Sequence, residues 1–371
     1  MAALALVNGP SAPADVLLSD VHALDPRARL DERLDVLVRD GHVAQLAAPG
    51  ALRRGDDVEV IAGDGRLLTP AFFDPHVHLR SPGEEHKEDL GSGTRAAAAG
   101  GFGAVVAMPN TDPVIDSAPL LRSLRDAATR EAVVAVGFLA AVTRSSAGEE
   151  LTEMAELREH GALGFTDDGR PVQSAGVLRK ALQYQRLCGG VVCLHEEDPT
   201  LSRGGAMHEG AVSAALGIGG IPTVSESTMV ARDAELALYE RARVHFQHLS
   251  CAASVQAVAG AKAAGASVSA EVTPHHLLLT DEHVRGLDTR MKMNPPLAGE
   301  RDRRALVAGL RDGTIDCVAT DHAPHALEEK EVPFEEAPNG TTGLETAFAA
   351  LYEGLVLPGS LELGVLVERM S

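Results

Sequence analysis

From Pro70 onward the sequence alternates between short apolar runs and longer stretches of helical periodicity. The runs are "AFFDPHVH", "GAVVAMPN", "VVAVGFLAAVT", "GALGFTDDG", "GVVCLHEED", "VHFQHLS", "ASVSAEVTPHH" and "IDCVATDHAPH". Between them lie helical patterns such as "DSAPLLRSLRDAATRE" and "ESTMVARDAELALYERAR". Strands that alternate with helices form parallel sheets, because the crossover helices cover both faces. Eight such units predict an α/β fold, a (β/α)8 TIM barrel. Upstream, "VLLSDV", "LDVLVRDGHVAQLA" and "VEVIAGDGRLLTP" are strand-like runs broken by Asp-Gly pairs. These suggest hairpins in a small β unit. The expected division is a small β domain over 1–68 and a barrel over 69–371.

A chain of 371 residues with 45% apolar content can bury a barrel-sized core, and with 3% aromatics that core is built from Ala, Val and Leu. The formal charge of -20 argues against nucleic acid and anionic membranes as partners. Cys188, Cys193, Cys251 and Cys317 form no CxxC pair and lie in apolar segments, as reduced buried thiols do. The N-terminus lacks a basic n-region, and no run of about 18 apolar residues suggests a membrane span. A soluble, cytoplasmic protein is expected.

Polar residues gather at the ends of the apolar runs, and in barrels that is the C-terminal face, where active sites are built. In "FFDPHVHLR", His76 and His78 stand at i and i+2, so on a strand both rings point to one side. An isolated HxH is more often an ordinary pair of histidines than a metal site. Here, however, His195, His248 and Asp321 end other runs. Four imidazoles and a carboxylate on one rim match a two-metal hydrolytic centre, in which ions activate water and polarise a carbonyl. Such a centre needs an anionic bridge. None of the five lysines, Lys87, Lys180, Lys262, Lys292 and Lys330, lies on the fourth run, so a carboxylated lysine is excluded there. That run ends in "FTDDG", which offers Asp167 or Asp168. Asp168 is the preferred bridge, and the alternative is a pair that only shapes the turn before Gly169.

Taken together, "DPHVHLRSPGEEHKEDL", "AMPNTDPVID", "GFTDDG", "CLHEED", "QHLS", "EVTPHHL", "KMNPPL" and "ATDHAPH" resemble the class I bacterial dihydroorotases of the amidohydrolase superfamily. The resemblance runs in order from about 67 to 345. It implies one ion on His76, His78 and Asp321, a second on His195 and His248, and an Asp168 bridge. Zinc is the implied metal, two per chain. The implied substrate is dihydroorotate or carbamoyl aspartate, a step of pyrimidine biosynthesis. Its carboxylate would meet Arg80, Asn110 and His325, which suits an arginine and two neutral donors. Asn294 would contact the pyrimidine ring. A hydroxide shared by the ions would attack the ring amide, with Asp321 shuttling the proton. The resemblance leaves aspartate transcarbamoylase and a homodimer open as partners. His275, His276 and His322 are rim residues that could orient ligands.

The pattern departs from that family at Ala298, where an arginine is usual, and at "LVERMS", beyond which relatives continue. If the chain ends there, the small unit, of β-sandwich type, would lack its C-terminal strands and expose its edges. Two other functions compete. A hydantoinase or allantoinase would usually carry the lysine missing from the fourth run. A non-catalytic scaffold for aspartate transcarbamoylase would have lost ligands that this chain keeps.

Overall fold

The computed structural model describes residues 6–8, 15–52 and 57–371. The small β unit comprises β1 (Val16–Asp25), β2 (Leu30–Arg39), β3 (His42–Ala47), β4 (Glu59–Ala62) and β5 (Leu67–Leu68). β1, β2 and β3 form an antiparallel meander. Asp40 and Gly41, both with positive φ, make the tight β2–β3 turn that an Asp-Gly pair favours. The second Asp-Gly pair, Asp64 and Gly65, does not make a hairpin. β4 and β5 both run parallel to β1, so the pair only jogs the chain sideways between them. The amides of Gly63 and Gly65 stay bonded to the carbonyls of Ser19 and Asp20, which is why the chain never reverses. β3 and β4 are edges, and Val43, Leu46, Val60 and Ile61 are exposed on them.

The barrel strands are β6 (Phe72–Val77), β7 (Phe102–Ala107), β8 (Ala135–Ala140), β9 (Gly164–Phe165) and β10 (Val192–Leu194). After a short parallel pair, β11 (Met207–His208) and β12 (Gly220–Ile221), come β13 (Val244–Phe246), β14 (Val268–Val272) and β15 (Cys317–Val318). The eight barrel strands are all parallel, in the order β15-β14-β13-β10-β9-β8-β7-β6. Each coincides with one of the eight apolar runs of the sequence, β7 starting one residue earlier, at Phe102. Helices such as Ala118–Glu131, Ala175–Cys188 and Val224–Glu240 cover the outside, and their buried faces join the strands in one apolar core. Gly164 is needed where β9 and β10 approach, since a Cβ there would lie 2.5 Å from the carbonyl oxygen of Val191. All four cysteines are free. Among the described residues no helix is long and apolar enough to cross a membrane.

The ring closes between its first and last strands. The His78 amide donates to the carbonyl of His322 at 2.9 Å. Deeper in, the fully buried Asp74 carboxylate accepts from the Thr320 hydroxyl at 2.6 Å, from the Thr320 amide at 3.2 Å and from the His76 amide at 3.1 Å. Asp74→Ala should leave these buried donors without an acceptor. Each such loss costs about 1–3 kcal/mol. Urea unfolding should therefore show a loss of about 3 kcal/mol, and an unchanged midpoint would mean that packing alone closes the barrel.

Candidate metal centre

Because the strands are parallel, their C-terminal ends bring distant parts of the sequence to one rim. His76 and His78 lie on and just after β6, with ring centroids 5.3 Å apart. The His76 Nε2 is 3.5 Å from Asp168 Oδ1 and 3.4 Å from Asp321 Oδ1. The His78 Nε2 is 3.6 Å from Asp168 Oδ2 and 3.0 Å from Asp321 Oδ1. On the other side, His195 Nδ1 lies 2.9 Å from His248 Nε2, which is 3.9 Å from Asp168 Oδ1. Two groups able to hold an ion result, His76–His78–Asp168 and Asp168–His195–His248, each with its ligand atoms within 4.8 Å of one another. Asp168 belongs to both. The His76 Nε2 and His248 Nδ1 atoms are buried without a hydrogen-bond partner. Imidazole nitrogens facing carboxylate oxygens form a donor set suited to zinc and related divalent ions.

Asp168 and its neighbour Asp167 behave differently, because adjacent side chains of an extended segment point to opposite sides. Asp167 Oδ1 accepts from the amides of Val142 at 2.8 Å and Thr143 at 3.0 Å, and its Oδ2 from the Thr143 hydroxyl. Its carboxylate is spent on the loop after β8. Asp168 faces the imidazoles.

The electrostatics follow from burial and proximity. Burial alone would raise the Asp168 carboxyl, yet His76, His78 and His195 hold it well below the usual carboxylate range. Asp321 is likewise buried, and His76, His78 and His248 bring it down to about 2. His248 is pushed down to about 3 by burial and by its neighbours His195 and His76, so it stays a neutral, ligand-ready imidazole. Arg80, His248 and Asp321 all have positive φ, a region that residues other than glycine seldom adopt.

A cavity of about 210 Å³ opens over the cluster, lined by His78, Asp168, His195, His248 and Asp321 together with Arg80, Asn110, Asn294 and His325. His76 lies beneath it, fully buried. Arg80 is anchored by its Nε on the carbonyl of Pro324 at 3.1 Å. His325 sits by its Nε2 on the carbonyl of Asn339 at 2.7 Å. The amide of Asn110 spans Asp168 Oδ2 at 3.0 Å and His78 Nδ1 at 2.9 Å, so it also orients two members of the cluster. Asn294 donates to Glu197 Oε2 at 2.7 Å, and Glu197 in turn lies 3.3 Å from His195 Nε2. The ten candidate residues are thus gathered in one place.

The sequence reading missed the residues behind them. Glu271 of β14 touches His76 Nδ1 at 2.6 Å with Oε1 and His245 Nε2 at 2.9 Å with Oε2. The only signal was a charge inside the apolar run "ASVSAEVTPHH". His245 lies in β13, where a single histidine carries no signal of a partner. His275 and His276 lie in the short helix Pro274–Leu278 after β14. His322 bonds Glu88 by its Nε2 at 2.9 Å.

The parallel barrel with candidate ligand groups on its rim is the architecture of the amidohydrolases. The Dihydro-orotase-like family profile matches residues 65–254. A dihydroorotase of Pelotomaculum thermopropionicum is 48% identical over 346 residues, 93% of this chain and 80% of that protein. A dihydroorotase of Geobacter sp. strain M21 is 46% identical over 357 residues, 96% of this chain and 83% of that protein. The chain belongs to the dihydroorotase family. Among solved structures, the L-hydantoinase of Arthrobacter aurescens superposes with a TM-score of 0.85 at 24% identity, covering 96% of this chain and 80% of that one. At that identity the likeness speaks for the fold.

The buried His276, in the helix after β14, gives the fold a pH dependence of its own. Its Nε2 is 2.9 Å from the Pro295 carbonyl, its Nδ1 is 2.8 Å from the Thr273 hydroxyl, and burial depresses it to about 4. The unfolded chain binds a proton near pH 6.5 that the folded chain refuses until about 4. Stability must therefore fall as pH drops through that window, by about 3 kcal/mol in all. In urea titrations of the metal-free protein at pH 7 and pH 4, His276→Gln should lose less stability than the unaltered chain. Equal losses would remove His276 from the account.

Proposed function

We propose that this chain is a zinc-dependent dihydroorotase, interconverting dihydroorotate and N-carbamoyl-L-aspartate in the cytoplasm. The observation that carries the reading is the pair of ligand groups sharing Asp168 beneath a small cavity walled by Arg80 and His325. His76, His78 and Asp321 would hold one ion, His195 and His248 the other, and Asp168 both. Ions bound there would lower the pKa of a water and polarise the amide carbonyl.

The protein's own groups do the rest. Arg80 is fixed by its Nε on the Pro324 carbonyl at 3.1 Å and by its Nη1 against Glu84 Oε2 at 3.5 Å, so its remaining N–H groups are the ones that would meet the substrate carboxylate. Asn110 flanks the same cavity and offers an amide N–H to that carboxylate, while His325, whose Nε2–H rests on the Asn339 carbonyl, would donate to it in exchange for that bond. Asn294 faces the ring. Hydrolysis adds water across the cyclic C–N amide bond. The carbon becomes a carboxylate, and the nitrogen must gain a proton. Asp321 is ionised at neutral pH, so it can accept a proton from water and deliver it to that nitrogen. Ring closure runs the same steps backward and consumes a proton, so mildly acidic conditions favour it.

The test is turnover of dihydroorotate by the purified chain, with hydantoin and allantoin as controls and metal counted by elemental analysis. About two zinc ions per chain and selective dihydroorotate turnover are expected. Chelation should abolish the activity and added zinc restore it. Asp321→Asn should lower kcat by about 10²–10⁴-fold. Arg80→Ala should act mainly on KM. Turnover of hydantoin in preference to dihydroorotate would overturn the substrate assignment.

A further inference from the structure

Glu271 is fully buried and does not line the cavity, so it cannot touch a substrate. It nevertheless reaches both halves of the metal centre. Its Oε1 is 2.6 Å from His76 Nδ1 and accepts the backbone N–H of His248 at 3.1 Å. Its backbone carbonyl accepts the N–H of Leu249, the next residue, at 3.0 Å. Its Oε2 is 2.9 Å from His245 Nε2, and His245 Nδ1 is 2.8 Å from the Ser269 hydroxyl.

These contacts fix proton positions. An ionised carboxylate only accepts, so a His76 that binds an ion as neutral imidazole carries its proton on Nδ1, with the Nε2 lone pair on the side of Asp168 and Asp321. The amide nitrogen of Gln247 is 3.2 Å from the same Nδ1 and would ask for the opposite tautomer. The carboxylate contact is shorter and charge-assisted, so it decides. His245 follows the same logic: with the Ser269 hydroxyl donating to its Nδ1, its Nε2–H points at Glu271. The third contact is mechanical. His248 has φ 31°, and a position of this kind persists only where the surroundings hold it. The carboxylate and carbonyl of Glu271 are what hold this turn on its inner side.

We propose that Glu271, backed by His245, is a positioning residue common to both ion sites: it sets the tautomer and ring direction of His76 for one ion and the backbone turn that presents His248 to the other. The inference rests on the ligand assignment made above. Outer partners of metal-bound histidines typically change metal affinity by about 10–100-fold.

The experiment is zinc titration of the metal-free full chain against a competing chelator, with thermal melting of each metal-free protein as the control for folding. Glu271→Gln keeps the shape and an acceptor oxygen, so it should melt near the unaltered chain. It should weaken the ion on His76 by about 10–100-fold, because the charge that orders the ring is gone. Glu271→Ala removes the His248 support as well and should weaken both ions. If the alanine variant does not fold, Glu271→Gln decides alone. Two zinc ions on the unaltered chain, bound equally tightly by Glu271→Gln, would overturn the positioning role and leave the site assignment standing. No zinc on the unaltered chain would overturn that assignment and this inference with it.

Discussion

The closure between β6 and β15 is the constraint on which the rest depends. A parallel barrel is stable only when its first and last strands meet. Here they meet through Asp74, Thr320 and the amide–carbonyl bond of His78 to His322. The same few residues carry His76, His78 and Asp321. Closing the barrel and bringing those three groups together are therefore one event: the hydrogen bonds that seal the ring fix the separation of two imidazoles from a carboxylate more than 240 positions away in the chain. This is also why Asp321 can hold a left-handed backbone, since Thr320 before it is bonded to Asp74 and His322 after it to the His78 amide, both across the seam.

Around that seam the protein buries an unusual density of ionisable groups. Asp74, Asp168, Glu271, His76, His195 and His248 are all almost wholly removed from solvent. Isolated buried charge is expensive, and it is tolerated only where opposite charge and hydrogen bonds compensate. Asp168 and Glu271 achieve this by surrounding themselves with imidazoles, which keeps both ionised despite burial. Asp74 has no such neighbour; burial outweighs its hydrogen bonds and raises it to about 7. Environment thus divides chemically similar carboxyls: Asp168 remains anionic on the cavity wall and Glu271 anionic behind His76, while Asp74 serves the scaffold.

Much of the fold was legible because its signal is periodic. Apolar runs of strand length separated by helical stretches have few solutions other than a parallel barrel, and all eight runs became strands. The Asp-Gly pairs were read less well. The turn at Asp40 makes a hairpin, but the one at Asp64 does not, because β4 and β5 are captured side by side on β1. A turn dipeptide encodes a local bend and says nothing of which strand the chain meets next. At the site, His76, His78, His195, His248 and Asp321 stood out because polar residues end otherwise apolar runs. Glu271 and His245 did not, because each sits inside a strand, where a single polar residue reads as noise until its partner is known.

The sequence by itself determined the order of strands and helices, the rim on which polar residues collect, and the chemical types available there. These are local properties of spacing and side-chain chemistry, and they survive without any knowledge of contacts. Only the tertiary structure separates the surroundings of Asp167 from those of Asp168, which are nearly equivalent in the sequence. The difference arises because one side chain meets the backbone of Val142 and Thr143 while the other meets four imidazoles. It alone also joined Glu271 to His76 across 195 positions. Such a pairing is fixed by strand register around a closed ring, and register is a property of the assembled barrel.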